Sequence, residues 1–154
     1  MITITVYAVP RPQGSKRFVG VSKKTGRGIM IESCKETKSW REAVKCAALD
    51  ELEKGALSIE RHCNGAIIGA VSMEITFTLP KPKSAPKSRR TWPDKKPDLS
   101  KLVRSTEDAL TDAGVWEDDA RVVKTVSRKV FPGEHPKALH IPGALIEIME
   151  ALPL

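Results

Sequence analysis

A strict alternation of apolar and polar residues between positions 71 and 79 is the feature that most constrains the fold of this chain. Every second residue of the stretch is apolar, at positions Val71, Met73, Ile75, Phe77 and Leu79. The intervening residues are predicted to face away from the core, and they are Ser72, Glu74, Thr76 and Thr78. Because successive side chains of a strand point to opposite faces, the pattern predicts a long, central strand that ends at Pro80. The chain must then build a sheet around it.

The other predicted elements complete a mixed arrangement of strands and helices. In chain order they are a strand at 2–8, a hairpin of strands at 18–21 and 29–31, a helix from Thr37 or Ser39 to Lys54, a helix from near Asp98 to Gly114, and strands at 121–131 and 144–149. We therefore predict an α/β (α+β) fold with a single mixed β-sheet and two main helices. A chain of 154 residues suits one domain, which we assign to residues 1–154.

The second predicted helix has two distinct sides at a turn of about 100° per residue. Its apolar side is formed by Leu99, Leu102, Val103, Thr106, Ala109, Leu110 and Ala113. Its polar side is formed by Ser100, Lys101, Arg104, Ser105 and Asp108. The apolar side is expected to pack against the sheet.

Charge narrows the choice of partner. The chain has 26 Lys and Arg against 19 Asp and Glu, a formal net charge of +7, which favours polyanions and above all nucleic acid. The first residues, MITITVYAV, have no basic segment and alternate, which predicts a strand and neither a signal peptide nor a membrane anchor. The three cysteines are odd in number and form no CxxC pair. We therefore expect a cytoplasmic protein of a bacterium or of a phage-infected host cell, with no membrane partner.

A proline-rich basic loop at residues 81–97 separates the long strand from the second helix. Prolines prevent a helix or a central strand there, so a flexible loop is predicted. The predicted DNA contacts are Lys81, Lys83, Lys87, Arg89, Arg90, Trp92, Lys95 and Lys96 of this loop, Lys101 of the following helix, and Lys16 and Arg17 in a turn after the first strand. A solvated loop is the plainer interpretation, and Trp92 is as well suited to stacking on a base as to ordinary packing.

Three acids flank the second helix: Asp98 at its start, and Asp118 and Asp119 just before the next strand. If they converge, their oxygens suit Mg²⁺, which proteins hold through one or two carboxylates and waters. Each acid also has an ordinary structural explanation. Asp98 suits a helix N-cap, and the Asp118–Asp119 pair suits a solvated turn.

The combined string KPDLSKLVRSTEDALTDAGVWEDDARVV, residues 96–123, is more specific than its parts. It resembles the signature of the RusA family of Holliday-junction endodeoxyribonucleases of the phage or prophage type. The segments VPRPQGSKRFV and SWREAV, and the strand before the basic loop, occur in the same order as in that family. The resemblance therefore covers most of the chain.

The resemblance implies a homodimeric, Mg²⁺-dependent nuclease, with Mn²⁺ as a substitute, that binds four-way DNA junctions and cuts two strands symmetrically. Asp98 matches the family's first metal-binding aspartate. Asp119 matches the essential acid of the distal pair, and Asp118 is its neighbour. Arg104 occupies the position of a catalytic lysine and keeps its positive charge.

One departure from the family pattern concerns Ser100, where a second aspartate is usual. A serine hydroxyl is neutral and a weaker metal ligand, and Asp118 or Glu74 would have to compensate. Arginine at position 104 favours bidentate phosphate contact over proton transfer. Two alternatives therefore stay open: a catalytically weakened protein that binds branched DNA without turnover, and a different metal nuclease that acts on flaps or simple duplexes.

Overall fold

A computed structural model of the protein describes residues 1–14, 16–21, 24–25, 28–32, 37–54 and 66–151, with the backbone alone at 16–21 and 28–32. The described strands are β1 (Ile2–Val6), β2 (Lys16–Val21), β3 (Gly28–Glu32), β4 (Val71–Thr78), β5 (Val122–Val130) and β6 (Gly143–Glu150). The described helices are α1 (Thr37–Glu53), α2 (Leu99–Asp112) and a short 3₁₀ turn at Asp119–Arg121. The order matches the predicted order of elements, and the arrangement is α+β as predicted.

The main sheet has four strands in the order β1-β6-β4-β5. Strand β4 is parallel to β5 and antiparallel to β6, and β6 is antiparallel to β1. Ile146 lies opposite both Ile4 and Ile75, so apolar residues of three strands form one row across the sheet. The prediction that residues 71–79 form a central strand is confirmed. Strands β2 and β3 pair with each other as a separate hairpin.

One face of the sheet forms the core, beneath the two helices. The predicted inward residues of β4, and Leu79 just after it, are at most 5% exposed, as the alternation requires. Trp40 of α1 packs against Phe77 of β4 with ring centroids 6.4 Å apart. Its indole nitrogen also donates a hydrogen bond to Thr106 Oγ1 of α2, at 3.3 Å, so one aromatic side chain joins both helices to the sheet. Truncating such a side chain costs about 3–5 kcal/mol of stability.

The other face of the sheet is more covered than predicted. Thr76 and Thr78 are buried, although the alternation predicts that they face outward to solvent. The reason is tertiary, since the loop between β5 and β6 crosses this face and the backbone N–H of Leu139 donates a hydrogen bond to Thr78 Oγ1 at 3.0 Å. Arg128 of β5 donates to Thr76 Oγ1, also at 3.0 Å. Both hydroxyls are therefore hydrogen-bonded where they are buried.

Two further predictions are decided by the fold. Ser105 was assigned to the polar side of α2 and is instead fully buried, because it lies beside the stripe that contains Leu102 and Ala109. Lys16 and Arg17 lie in strand β2, where they pair with residues of β3, and not in a turn. Within the described part of the chain, no helix has the length and apolar character that a membrane span requires.

Candidate active site and nucleic-acid interface

Asp98 begins helix α2 without using its carboxylate as a cap. It occupies the N-cap position with φ −67° and ψ 133°, and its side chain makes no capping hydrogen bond. Its backbone carbonyl accepts the first helical bond, from the Leu102 N–H at 3.1 Å. The carboxylate is about half exposed and lies 3.4 Å from Lys101 Nζ, a distance typical of a loose surface ion pair. Asp98 thus starts the helix through its backbone while its side-chain oxygens stay accessible to a ligand.

A lysine from β5 holds the chain immediately before Asp98. Lys129 Nζ donates hydrogen bonds to the carbonyls of Lys95 and Pro97, at 2.9 and 3.0 Å. Charge-assisted bonds to two carbonyls are stronger than neutral ones, so they fix the end of the basic loop against the sheet. The position of Asp98 is therefore set by the sheet as well as by its own helix.

Glu134 anchors the middle of the basic loop from the other side. Its carboxylate accepts a hydrogen bond from the Thr91 N–H at 3.0 Å and pairs with Lys81. The bonded Lys81 and the Thr91 N–H hold the pKa of Glu134 below its usual value. Arg90 donates its Nε–H to the backbone carbonyl of Glu134. The loop predicted to be flexible is thus tied to the rest of the protein at two points.

These anchors divide the predicted DNA contacts into two groups. Lys81 and Arg90 have partners within the protein, through Glu134. Five other cations of the loop are exposed, and they are Lys83, Lys87, Arg89, Lys95 and Lys96. Trp92 is 71% exposed, while Trp40 and Trp116 are 1% exposed and belong to the core. These five cations and the Trp92 ring are available to a nucleic acid, whereas Arg90, although exposed, is bonded to Glu134.

Asp118 and Asp119 lie at the short 3₁₀ turn that precedes β5. Asp118 caps this turn, since its Oδ1 accepts a hydrogen bond from the Ala120 N–H at 2.8 Å. Asp119 is the first residue of the turn, and both side chains are exposed. The structural interpretation of the pair therefore applies to Asp118. It leaves the carboxylate of Asp119 as the more available one.

Glu107 is an acid near this turn that the sequence pattern did not single out. It lies on α2 and is partly buried, and burial raises its pKa first, followed by the negative charges of Asp119 and Asp108. Glu107 and Asp119 are therefore electrostatically coupled across the turn that follows α2. Arg104 precedes Glu107 by three residues, so the two lie on the same side of the helix. Arg104 is exposed. The i, i+3 spacing of Arg104 and Glu107 was the available signal, but Glu107 matched no motif.

The residues present suit a hard cation held largely by water. Within the described ranges, no three His, Cys, Asp or Glu side chains form a metal-binding group. The exposed carboxylates of Asp98 and Asp119 are oxygen ligands of the kind Mg²⁺ accepts one or two at a time. Ser100, also exposed in the first turn of α2, contributes a neutral hydroxyl where a carboxylate is usual. The convergence of Asp98 with Asp119 stays a prediction.

Glu74 forms ion pairs on the other face of the sheet. It pairs with Arg128 at 2.5 Å and with Lys137 at 2.9 Å, and these bonds lower its pKa. It projects from β4 on the opposite face from Met73 and Ile75, which pack under the helices. Glu74 therefore lies across the sheet from α2 and holds the β5–β6 loop in place.

The fold and the site together define a class of protein. A basic α+β domain that carries accessible carboxylates beside an exposed cationic loop has the features of an enzyme that acts on nucleic acid. The sequence profile of the family described as Endodeoxyribonuclease RusA matches residues 9–141. The chain belongs to this family, whose members are nucleases that resolve Holliday junctions and generally depend on a divalent metal. No individual curated protein matches the chain significantly.

Proposed function

We propose that this protein is a Mg²⁺-dependent crossover junction endodeoxyribonuclease that works as a homodimer and cuts two strands of a four-way DNA junction symmetrically. The observation that carries the proposal is the half-exposed carboxylate of Asp98, which makes no capping hydrogen bond at the start of the helix that bears the family motif. A two-fold dimer presents two equivalent sites, which suits two symmetric cuts.

The chain's own residues have distinct parts in this reaction. Asp98 and Asp119, with Asp118 beside them, are the residues that would hold the ion, and Mn²⁺ is expected to substitute for Mg²⁺. When bound, the ion activates a water and neutralises charge on the phosphodiester. Arg104 donates hydrogen bonds to the phosphate oxygens as negative charge develops, because its planar fork suits bidentate contact. The planar guanidinium favours phosphate contact over proton transfer.

DNA is held mainly through its backbone. The exposed cations of the basic loop neutralise phosphates, which contributes affinity but carries no base sequence information. Lys101 has a second role, since its ammonium lies 3.4 Å from the Asp98 carboxylate. Binding of a metal ion and a phosphate would release it from Asp98 to pair with the DNA.

The experiment offers the purified protein a panel of substrates: a synthetic four-way junction, a flap and a linear duplex, each with Mg²⁺, Mn²⁺ or EDTA. We expect paired, symmetric cuts in the junction with either ion and none in EDTA. Equal cutting of the linear duplex would contradict junction selectivity. An intact junction under every divalent ion would contradict the enzyme proposal altogether.

A second function is favoured by one residue, Ser100. Without a carboxylate there, the site has one negative charge less than the usual family pattern. Affinity for a metal ion decreases when the ligands carry less negative charge. The alternative is a protein that holds branched DNA without turnover. Binding of the junction in EDTA, with no cutting at any Mg²⁺ concentration, would identify it.

A further inference from the structure

A cleft with a volume of about 1160 Å³ opens directly beside Asp98. Its walls come from residues 9–14 after β1, from residues 79–80 at the end of β4, and from parts of the basic loop. Asp98 and Lys101 line it at the start of α2. The volume is of the order of pockets that enclose one small organic molecule, so the cleft is too small for a duplex.

The cleft is lined by both apolar and charged residues. Seven prolines line it, together with apolar side chains such as Leu79 and Phe131. Four cations also line it, against two acids, and the cations are Arg11, Lys95, Lys96 and Lys101. Flat apolar walls suit an aromatic ring, and the excess of positive charge suits a phosphate. A nucleotide combines both groups in one ligand.

Both walls of the cleft are fixed in place. On one side, two hydrogen bonds hold Gln13 in place. Its backbone N–H donates to the Lys101 carbonyl and its Nε2 donates to Asp108 Oδ2, each at 3.0 Å. On the other side, the basic loop is held by Lys129 and Glu134 through the bonds described above. A preformed cleft binds with a smaller entropic cost than one that must be ordered by its ligand.

Trp92 lies on the rim and is 71% exposed. An indole is a large aromatic surface, and bases of any kind stack on such rings. Its neighbour Pro93 is buried, and the Asp94 N–H donates a hydrogen bond to the Trp92 carbonyl at 2.9 Å, so the backbone under the ring is a defined turn. The ring is therefore presented at the edge of the cleft by a fixed support.

We propose that this cleft takes one unpaired nucleotide of the branched DNA, with its base against Trp92 and the prolines and its phosphate near the cations that line the cleft. The inference rests on the proposed function, since Asp98 marks the position of the cleaved phosphate. Extracting a base costs least where pairing and stacking are already weak, as at a branch point. The cleft would thus select junctions over linear duplex without reading a base sequence.

A double-mutant cycle between protein and DNA tests the inference. Binding of the full chain is measured in EDTA to a four-way junction and to the same junction with abasic sites at the branch point. For the parent protein we expect about tenfold weaker binding to the abasic junction. Trp92→Ala is expected to lose about tenfold on the intact junction and nothing further on the abasic one. Circular dichroism checks that this exposed residue is replaced without loss of fold.

Two controls separate the cleft from general attraction to DNA. Abasic sites in the middle of the arms should leave affinity unchanged. Arg89→Ala removes an exposed cation of the same loop outside the cleft, and it should weaken binding to both junctions equally. Independent, additive losses for Trp92→Ala and the branch-point abasic sites would overturn the inference.

The outcomes also separate this inference from the proposed function, because binding in EDTA requires no cutting. A protein that cuts junctions with Mg²⁺ but shows no coupling between Trp92 and the branch-point bases would overturn the nucleotide cleft alone. Coupling in a parent protein that never cuts would support the cleft and overturn the enzyme proposal.

Discussion

Charged residues are arranged in opposite ways at the start of α2 and on the outer face of the sheet. On the outer face, Glu74 of β4 and Glu147 of β6 lie directly opposite each other, and Lys137 bridges them at 2.9 and 2.5 Å. Arg128 completes the network with a second bond to Glu74. At the start of α2, Asp98 has only the loose contact with Lys101 among the described residues, and its carboxylate stays half exposed.

The two arrangements of charge have different consequences for stability and for ligand binding. Two like charges opposite each other in a sheet destabilise it unless a cation lies between them, so the outer network serves the fold. Its bonds lower the pKa of Glu74 and raise the pKa of Lys137, which keeps both charged. Charges that no intramolecular bond neutralises add little to stability, and they are available to a metal ion or a phosphate.

The largest effect is expected from neutralising Asp98 at the start of α2. Asp98→Asn should reduce junction cutting at least a hundredfold, because it removes a predicted metal ligand and its charge. It should leave the unfolding free energy unchanged within about 0.5 kcal/mol. Cutting rates and urea denaturation measure the two effects. Asp50→Asn, the same change at an exposed position of α1, is the matched control and should alter neither.

Restoring the usual carboxylate should act in the opposite direction. Ser100→Asp adds a negative charge in the first turn of α2, where it also interacts favourably with the helix dipole. We expect about tenfold faster cutting at limiting Mg²⁺, since an added carboxylate raises affinity for a hard cation. A Mg²⁺ titration of the cutting rate measures the shift. An unchanged titration curve would show that position 100 does not reach the ion.

The exposed loop cations should control the salt dependence of DNA binding. Replacing Lys83, Lys87 and Arg89 with Ala should lower the slope of log affinity against log salt by about 2.7, or roughly 0.9 for each lost phosphate contact. Lys137→Ala is the comparison, because this lysine is bound to Glu74 and Glu147. It should leave the slope unchanged. Equal effects of the two variants would contradict the division between exposed and committed cations.

Glu74→Gln should affect the fold and spare the reaction. It removes a charge that bonds both Arg128 and Lys137, and we expect a loss of roughly 1 kcal/mol in unfolding free energy. Junction cutting per folded molecule should be unchanged. A large loss of cutting with normal stability would assign Glu74 to the active site instead.

The pH dependence of this effect has a definite sign. Because the pKa of Glu74 is lowered in the folded protein, its stabilising contribution is present above its ordinary pKa of about 4.5 and is lost as the pH falls through the lowered value. The stability difference between the parent and Glu74→Gln should therefore be full at pH 7 and shrink below about pH 4.5. Urea unfolding at pH 7 and at pH 3.5 checks this, and a constant difference would contradict it.

Much of the fold was predictable from local patterns. The alternation from Val71 to Leu79 predicted the central strand, and the helical spacing of Leu102, Ala109 and Leu110 predicted the buried side of α2. The family motif also placed Asp98 at a helix start. These predictions succeed because the periods of strands and helices are properties of the backbone itself.

Predictions that depended on contacts between residues far apart in the sequence were less complete. Thr76 and Thr78 are buried because a loop sixty residues further along the chain crosses them, as the bond between Leu139 and Thr78 spans a separation of 61 residues. Ser105 is buried because of what packs around α2. The pKa of Glu107 is raised by burial and by the negative charge of Asp119, which lies in the turn after the helix. None of these effects produces a periodic pattern in the local sequence, so none could be predicted from it.

The sequence by itself determined the class of fold, the positive charge, the position of Asp98 at a helix start and the family to which the chain belongs, because each follows from residue type and spacing. Tertiary structure decided which charges are neutralised inside the protein and which face solvent. Lys81 and Lys83 are neighbours of identical chemistry in the same loop, yet Lys81 pairs with Glu134 while Lys83 is exposed. The energy of a charge depends on the groups within a few ångströms of it, and for most of these residues those groups come from distant parts of the chain.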